Sequence, residues 1–373
     1  MSNDTFVIVF PSLFAENNIS LLVRNIKKIL KIQNQNFGKI SRDGNLILVD
    51  ANDPVFASTA INLLFGIEQI VIGKQIKNNF KTVVDEITRV GSSLLLRGEK
   101  FYVSVNGNPK GYVTKDVELS ATSSLIESNK KIDARPGTEE KHDKLLFTYI
   151  TKSNAYVSIF NDKGLDGAVN NSQNQKVVCG IFDEFSALAC LETIKQGFEV
   201  KIVVFYQKHK EIVDLLKILQ KILPRILKTS SEIEFYNVPT FGSNLTTKNT
   251  LLLKVLSKIA TKEKISHVEL PVSPLLFRSD FIKKLQISAF ENGLIPYIPL
   301  SGIGSEIFDN AREIGLEKSV VKIESVLRKK KTYQKMKFTD TAVNAILNSK
   351  KAVVVKLGPN MLHEVLDTLQ VKH

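Results

Sequence analysis

Tryptophan is absent from this 373-residue chain, methionine occurs three times and cysteine only twice. Two thiols, Cys179 and Cys190, cannot build a multi-bridge framework, and their spacing resembles neither a zinc clip nor a secreted disulfide pattern, which points to a cytoplasmic compartment. The five histidines, at positions 142, 209, 267, 363 and 373, show no ligand spacing such as H-x-x-x-H, so no metal site is expected. No apolar run approaches the roughly 18 residues that a membrane span needs. The start, Met1-Ser-Asn-Asp-Thr-Phe-Val-Ile-Val-Phe-Pro11, lacks a basic region ahead of its short apolar stretch. Export and membrane insertion are therefore not expected. No internal repeat is visible at a solenoid period.

Acidic residues are also in deficit. Lysine and arginine total 51 against 38 aspartates and glutamates, a formal charge of +13. Such a balance suits a polyanionic partner, nucleic acid or an anionic membrane surface, although a lysine-rich proteome produces the same excess. At 43% hydrophobic residues the chain can bury a core, and its length exceeds one ordinary domain, so two or three are expected.

The first seventy residues alternate in type: strand 6–10, amphipathic helix 19–32, strand 46–50, helix 54–64 and strand 67–73. The first long helix sets Arg24, Lys27, Lys28 and Lys31 three and four residues apart, close together on its outer face. These are a solvated face or a set of phosphate contacts. A helix at 80–90 then leads into strand 100–105, the turn residues Asn106-Gly-Asn-Pro-Lys-Gly111, and a helix at 115–127. Polar residues 128–143 read as a loop, and 144–150 with 155–160 as two strands of a hairpin. The stretch 161–174 is the best candidate for a domain boundary.

From Lys176 the rhythm becomes strand, helix, strand, helix: 177–179, 185–196, 200–206, 208–227, 232–236, 247–261, 267–270, 279–291, 294–298 and 305–314. This alternation predicts a doubly wound parallel sheet. Ligands of such sheets bind beyond the carboxyl ends of the strands, where the strand order reverses. The turn after the first strand, 180–184, is the expected phosphate site. Beyond Gly315 come a helix carrying the basic run Leu327-Arg-Lys-Lys-Lys-Thr-Tyr-Gln-Lys-Met-Lys337 and a final short strand and helix.

Several segments, in order, resemble the tRNA 4-thiouridine synthetases. Gly98-Glu-Lys-Phe-Tyr-Val-Ser-Val105 followed by Lys115-Asp-Val-Glu118 is similar to the strand and the "DVE" helix start of the family's THUMP domain. Phe65-Gly-Ile67 resembles the end of the domain before it, and Lys163-Gly-Leu-Asp-Gly167 the glycine-rich link into the catalytic domain. The resemblance spans roughly residues 5–316. It implies an α/β protein with a ferredoxin-like domain at 1–75, a THUMP RNA-binding domain at 76–168, a doubly wound PP-loop ATP-pyrophosphatase domain at 175–316 and a basic C-terminal extension at 317–373.

The family's nucleotide loop reads SGGxDS, whose glycines admit the backbone N–H groups to the phosphates and whose serines add hydroxyl donors. The aligned residues are Cys179-Gly-Ile-Phe-Asp-Glu184. Gly180 and Asp183 match; Ile181, Cys179 and Glu184 replace the second glycine and both serines. A branched side chain crowds the approach, and the Glu184 carboxylate repels a phosphate by roughly 1 kcal/mol at ~4 Å even in water. In the family's next nucleotide segment this chain has Leu270-Pro-Val-Ser-Pro-Leu-Leu-Phe-Arg-Ser-Asp-Phe281, where only Ser273 and Ser279 stand at serine positions. The family's "RPL" reads Ile298-Pro-Leu300, so its arginine is gone. Members carry a persulfide-bearing cysteine after the following helix, and no cysteine follows Cys190.

The expectation is a tRNA-binding protein with a degenerate nucleotide loop and no ATP-dependent thiolation. The alternative is an active sulfurtransferase that adenylates a uridine with ATP and magnesium and takes sulfur from a donor protein. In that case Cys179 is a relocated sulfur carrier and Asp183 a ligand or magnesium orienter, with Cys179, Gly180, Asp183 and Ser279 holding the nucleotide. Otherwise Cys179 fills a serine's place and Asp183 caps a helix. Cys190, in Ala187-Leu-Ala-Cys-Leu191, reads as core. The resemblance implies tRNA as partner and a homodimer, with RNA contacts from Arg24, Lys27, Lys28, Lys100, Lys110, Lys115 and Arg328, Lys329, Lys330 and Lys331. THUMP domains recognise shape and phosphate, which suits lysines.

Overall fold

The computed structural model describes residues 5–238, 245–302, 304–327 and 339–358. The chain divides into two compact units. One holds the chain up to Lys31, Gln35–Asn62 and Gly66–Asp166; the other holds Ile32–Asn34, Leu63–Phe65 and the chain from Gly167.

In the first unit β1 (Thr5–Pro11) is followed by α1 (Ile19–Ile32), β2 (Phe37–Asp43), β3 (Leu46–Ala51), α2 (Pro54–Ile61) and β4 (Ile67–Lys77). Then come α3 (Phe80–Leu94), β5 (Lys100–Gly107), α4 (Thr114–Ser128), the two-residue β6 (Arg135–Pro136), β7 (Lys144–Ile150) and β8 (Asn154–Asp166). All eight strands form one sheet in the order β2-β3-β1-β4-β8-β7-β5-β6. The long strands β4 and β8 pair antiparallel at its middle, from Ile67 opposite Asp166 to Lys77 opposite Asn154.

Local rules explain the helices. Leu22, Ile26, Ile29 and Leu30 give α1 its buried stripe. Asp53 caps α2 by accepting from the N–H groups of Val55 and Phe56, both at 3.1 Å, with Pro54 at the first helical position. Helices α3 and α4 approach closely because position 91 is glycine: a Cβ there would stand 2.7 Å from both Leu125 and Leu146 side chains. Two strands were not anticipated, β2 and the two-residue β6 within the stretch 128–143 read as a loop. β2 has no fully buried residue, so it lacks the alternation that marks a strand in sequence. β8 also runs further than expected, to Asp166, because its second half pairs with β4.

The second unit contains β9 (Lys176–Ile181), α5 (Glu184–Lys195), β10 (Glu199–Tyr206), α6 (His209–Ile222), β11 (Ser230–Asn237), α7 (Leu245–Lys262) and β12 (His267–Glu269). After these follow α8 (Ser279–Glu291), β13 (Ile295–Tyr297), α9 (Ser305–Glu313), α10 (Glu317–Leu327), α11 (Asp340–Asn348) and β14 (Lys351–Lys356). The sheet order is β13-β12-β9-β10-β11-β14. Five strands run parallel, as a doubly wound sheet requires, while β14 lies antiparallel on β11 at the edge. The chain passes from β9 outward to β10 and β11, then crosses back to β12 on the other side of β9. The strand order therefore reverses between β9 and β12, which puts the crevice beyond Ile181 and Glu269.

Every residue of α5 from Phe185 to Lys195 is buried. It is therefore enclosed on all sides rather than one-sided, with Glu192 and Lys195 buried among its apolar residues. α7 covers the opposite face with Leu252, Leu253, Val255, Leu256 and Ile259, in a core shared with Phe205, Val268, Val343 and Ile346.

Candidate nucleotide cleft and nucleic-acid interface

β9 runs on to Ile181, so the turn at the crevice is shorter than the sequence suggested, and Cys179 lies inside the strand rather than at a pocket mouth. Hydrogen bonding to β10 continues through Ile181, opposite Val204, and this draws the residue into the sheet. Asp183 is the N-cap of α5. Its carboxylate accepts from the Ser186 N–H at 2.8 Å, and the Ser186 hydroxyl accepts from the N–H groups of Phe182 at 2.9 Å and Asp183 at 3.0 Å. This reciprocal box occupies two backbone donors of the turn. Burial pushes the Asp183 carboxyl up, opposed by the Ser186 hydrogen bonds and the charge of Lys248 on α7.

Gly180 faces α7. A Cβ built on it would stand 2.9 Å from Leu256 Cδ1 and 3.2 Å from Phe205 Cε2, so its missing side chain makes room for packing. Beside it a cavity of about 10 Å³ is lined by Gly180, Phe182, Asn249, Glu269, Leu270 and Pro271 among others. A cavity needs about 10–15 Å³ to hold a single water. Ser279, exposed at the start of α8, is not among its lining residues, whereas Ser273 is buried and accepts from the Leu275 N–H at 3.3 Å. Cys179 and Gly180 thus stand in β9 and Asp183 in the turn that follows, and of the four expected nucleotide residues only Gly180 lines this cavity. Two backbone N–H groups of the turn are bonded to Ser186, Gly180 is packed against Leu256 and Phe205, and the adjoining cavity among the described residues is of the size of one water.

Cys179 and Cys190 are free thiols with no exposed surface. Burial pushes the Cys179 thiol well up. At Cys190 the hydrogen bond with Cys179 pulls downward, but burial and the Glu269 carboxyl leave the net shift upward. Glu269, at the end of β12, is fully buried, and burial pushes it up to about 8. The Cys179 thiol beside it opposes that shift, but neither carboxyl oxygen makes a hydrogen bond of ordinary geometry. Each unsatisfied buried oxygen costs about 1–3 kcal/mol. Sequence alone did not single out Glu269, because its place beside Cys179 comes from the β9–β12 register, Val178 opposite Val268.

Arg24, Lys27 and Lys28 are exposed together on α1. Lys110 and Lys115 share the connection between β5 and α4; both are exposed, and Lys115 donates to Glu118 at 2.8 Å. Lys100 is exposed at the opposite end of the eight-residue β5, next to Arg135 in register. Seven residues of strand separate the two ends by roughly 23 Å, so these cations form separate groups. Arg97 and Arg135, also exposed, were missed by the sequence reading because they sit in segments without periodicity; Arg135 pairs with Asp133 at 2.8 Å. Arg328, Lys329, Lys330 and Lys331 lie outside the described residues. No helix among the described residues is long and apolar enough to cross a membrane.

No protein-family model matches the sequence, and no curated protein matches it. Solved structures do. PH1313 from Pyrococcus horikoshii is 17% identical with a TM-score of 0.60, the match covering 84% of this chain and 100% of that one. A 4-thiouridine synthetase solved as an RNA complex with bound ATP is 15% identical with a TM-score of 0.63, covering 94% of this chain and all of the other. At the level of the fold, the chain is similar to a 4-thiouridine synthetase from end to end of that structure.

Proposed function

We propose that this protein is a cytoplasmic tRNA-binding protein built on the 4-thiouridine synthetase fold, with a nucleotide cleft that no longer supports sulfur transfer. The observation that carries the RNA reading is the shared fold over 94% of this chain with a synthetase seen on RNA. The +13 charge and the exposed cations of the first unit support it. The reading of the cleft rests on the turn itself, whose amides are bonded to Ser186 and whose adjoining cavity holds about 10 Å³. The only two thiols are buried and held protonated, whereas sulfur transfer requires an accessible thiolate.

The test is equilibrium binding of labelled tRNA and of labelled ATP with magnesium to the full chain. Saturable tRNA binding that weakens steeply with salt, and no saturable ATP binding up to millimolar concentration, is the expected result. Formation of 4-thiouridine from tRNA, ATP and a sulfide source would overturn the cleft reading. Absence of tRNA binding would overturn the RNA reading.

A further inference from the structure

Three groups that bind thiophilic metals converge in the second unit from elements far apart in sequence. Cys179 comes from β9, Cys190 from α5 and Glu269 from the end of β12; the two sulfurs and a carboxyl oxygen all lie within 4.8 Å of one another. All three residues have 0% exposure. Val177, Ala187 and Leu191 are buried in the same strand and helix, and Tyr297 on β13 is close enough to feel the charge of both Glu269 and Cys179. Neither carboxyl oxygen of Glu269 makes a hydrogen bond of ordinary geometry, although the Cys179 thiol stands beside it. A buried acid whose oxygens make no hydrogen bond of ordinary geometry, set against two thiols that bond to each other and, from Cys179, to the Val177 carbonyl at 4.0 Å, is a polar cluster left largely to itself, and such a group calls for an explanation such as a bound ion.

We propose that Cys179, Cys190 and Glu269 form a zinc site. Zinc takes cysteine sulfur at about 2.3 Å and carboxylate oxygen at about 2.0–2.2 Å. Around such an ion two sulfurs stand roughly 3.8 Å apart, so the three ligand atoms close onto it by small side-chain movements. Thiolate ligands favour zinc over the hard cations magnesium and calcium. Binding is balanced by proton release: one Zn²⁺ displaces up to three protons, from two thiols and one carboxylic acid, into solvent. Three protein ligands leave a fourth position open. The ion would join β9, α5 and β12 at the point where the strand order reverses, directly behind the turn capped by Asp183 and Ser186. This site does not depend on whether the cleft binds a nucleotide.

Titrating the reduced, metal-free full chain with Zn²⁺ against a chromophoric chelator, with bound zinc counted by mass spectrometry, tests the site. One zinc per chain is expected, with proton release. Loss of a partner merely behind a metal ligand weakens binding 10–100-fold, so Cys190→Ala should weaken it by at least roughly tenfold. Glu269→Gln keeps the size and shape of the side chain and removes the carboxyl, so it tests that ligand with little disturbance of packing, and it too should weaken zinc. Replacing zinc with Co²⁺ should give the near-ultraviolet absorption of a thiolate–cobalt bond. Absence of stoichiometric zinc, absence of that absorption, or equal zinc binding by the Cys179→Ala, Cys190→Ala double variant would each overturn the proposal.

Discussion

The Tyr156 hydroxyl donates to Asp43 Oδ2 at 2.6 Å, a bond between residues 113 apart in sequence. The same oxygen accepts from Thr151 Oγ1 at 2.8 Å and Asn154 Nδ2 at 3.0 Å. It fastens the end of β2 to the β7–β8 hairpin, over a core that holds Leu46, Leu48, Phe147 and Tyr156. Hydrogen bonds to charged groups contribute about 1.5–3 kcal/mol. Tyr156→Phe keeps the ring and removes the bond, so it should lower stability by about that amount in urea unfolding followed by circular dichroism. An unchanged midpoint would show that Thr151 and Asn154 suffice.

Acid should act on the second unit through Glu234. Burial favours its neutral form, but Lys201 at 2.8 Å, Lys350 at 2.6 Å and Tyr236 at 2.8 Å hold its carboxyl down to about 2. The folded value lies below the ordinary 4.5, so the carboxylate's contribution is complete above about pH 4.5 and is lost as pH falls towards about 2. Unfolding midpoints measured across that window should fall, and Glu234→Gln should flatten the dependence.

Gly180→Ala discriminates packing from phosphate binding. The added methyl meets Leu256 and Phe205, and overpacking of this kind costs about 1–3 kcal/mol. The variant should unfold at lower urea while tRNA affinity stays at the wild-type level. Lost tRNA affinity with unaltered stability would assign the glycine to a ligand instead.

Charge reversal separates the cation groups. Arg24→Glu with Lys27→Glu and Lys28→Glu alters α1; Lys110→Glu with Lys115→Glu alters the β5–α4 connection. Each lost phosphate contact reduces the slope of log affinity against log salt by about 1. The set that carries RNA contacts should weaken tRNA binding and flatten its salt dependence, in filter-binding titrations at several salt concentrations. Identical slopes for both variants and the wild type would move the RNA surface away from these residues.

Elements with a strong apolar period were legible from sequence. α1 spans Ile19–Ile32 and α8 spans Ser279–Glu291, the bounds predicted for both, because each buries a stripe spaced by three and four residues. The doubly wound sheet was legible for the same reason, since buried parallel strands are continuous apolar runs. β2 was not, because none of its residues is fully buried and partial burial does not alternate with exposure along it. The Cys179, Cys190 and Glu269 cluster was not either: cysteines inside apolar runs look like core, and only strand register brings the acid to them. At Lys115 the helical spacing to Glu118 was visible in sequence, but the ion pair that takes up part of its charge was not read from it.

The antiparallel strand β14 has a consequence for the order in which the second unit can be completed. Its residues, Lys351–Lys356, cover the edge of β11 from Ser230 to Phe235, and α11 just before it adds Val343 and Ile346 to the core. Until these elements have emerged from the ribosome, β11 presents an open row of N–H and C=O groups, the kind of edge on which nascent chains pair with one another. The β11 edge is therefore covered only once the sixth strand of this sheet has been made.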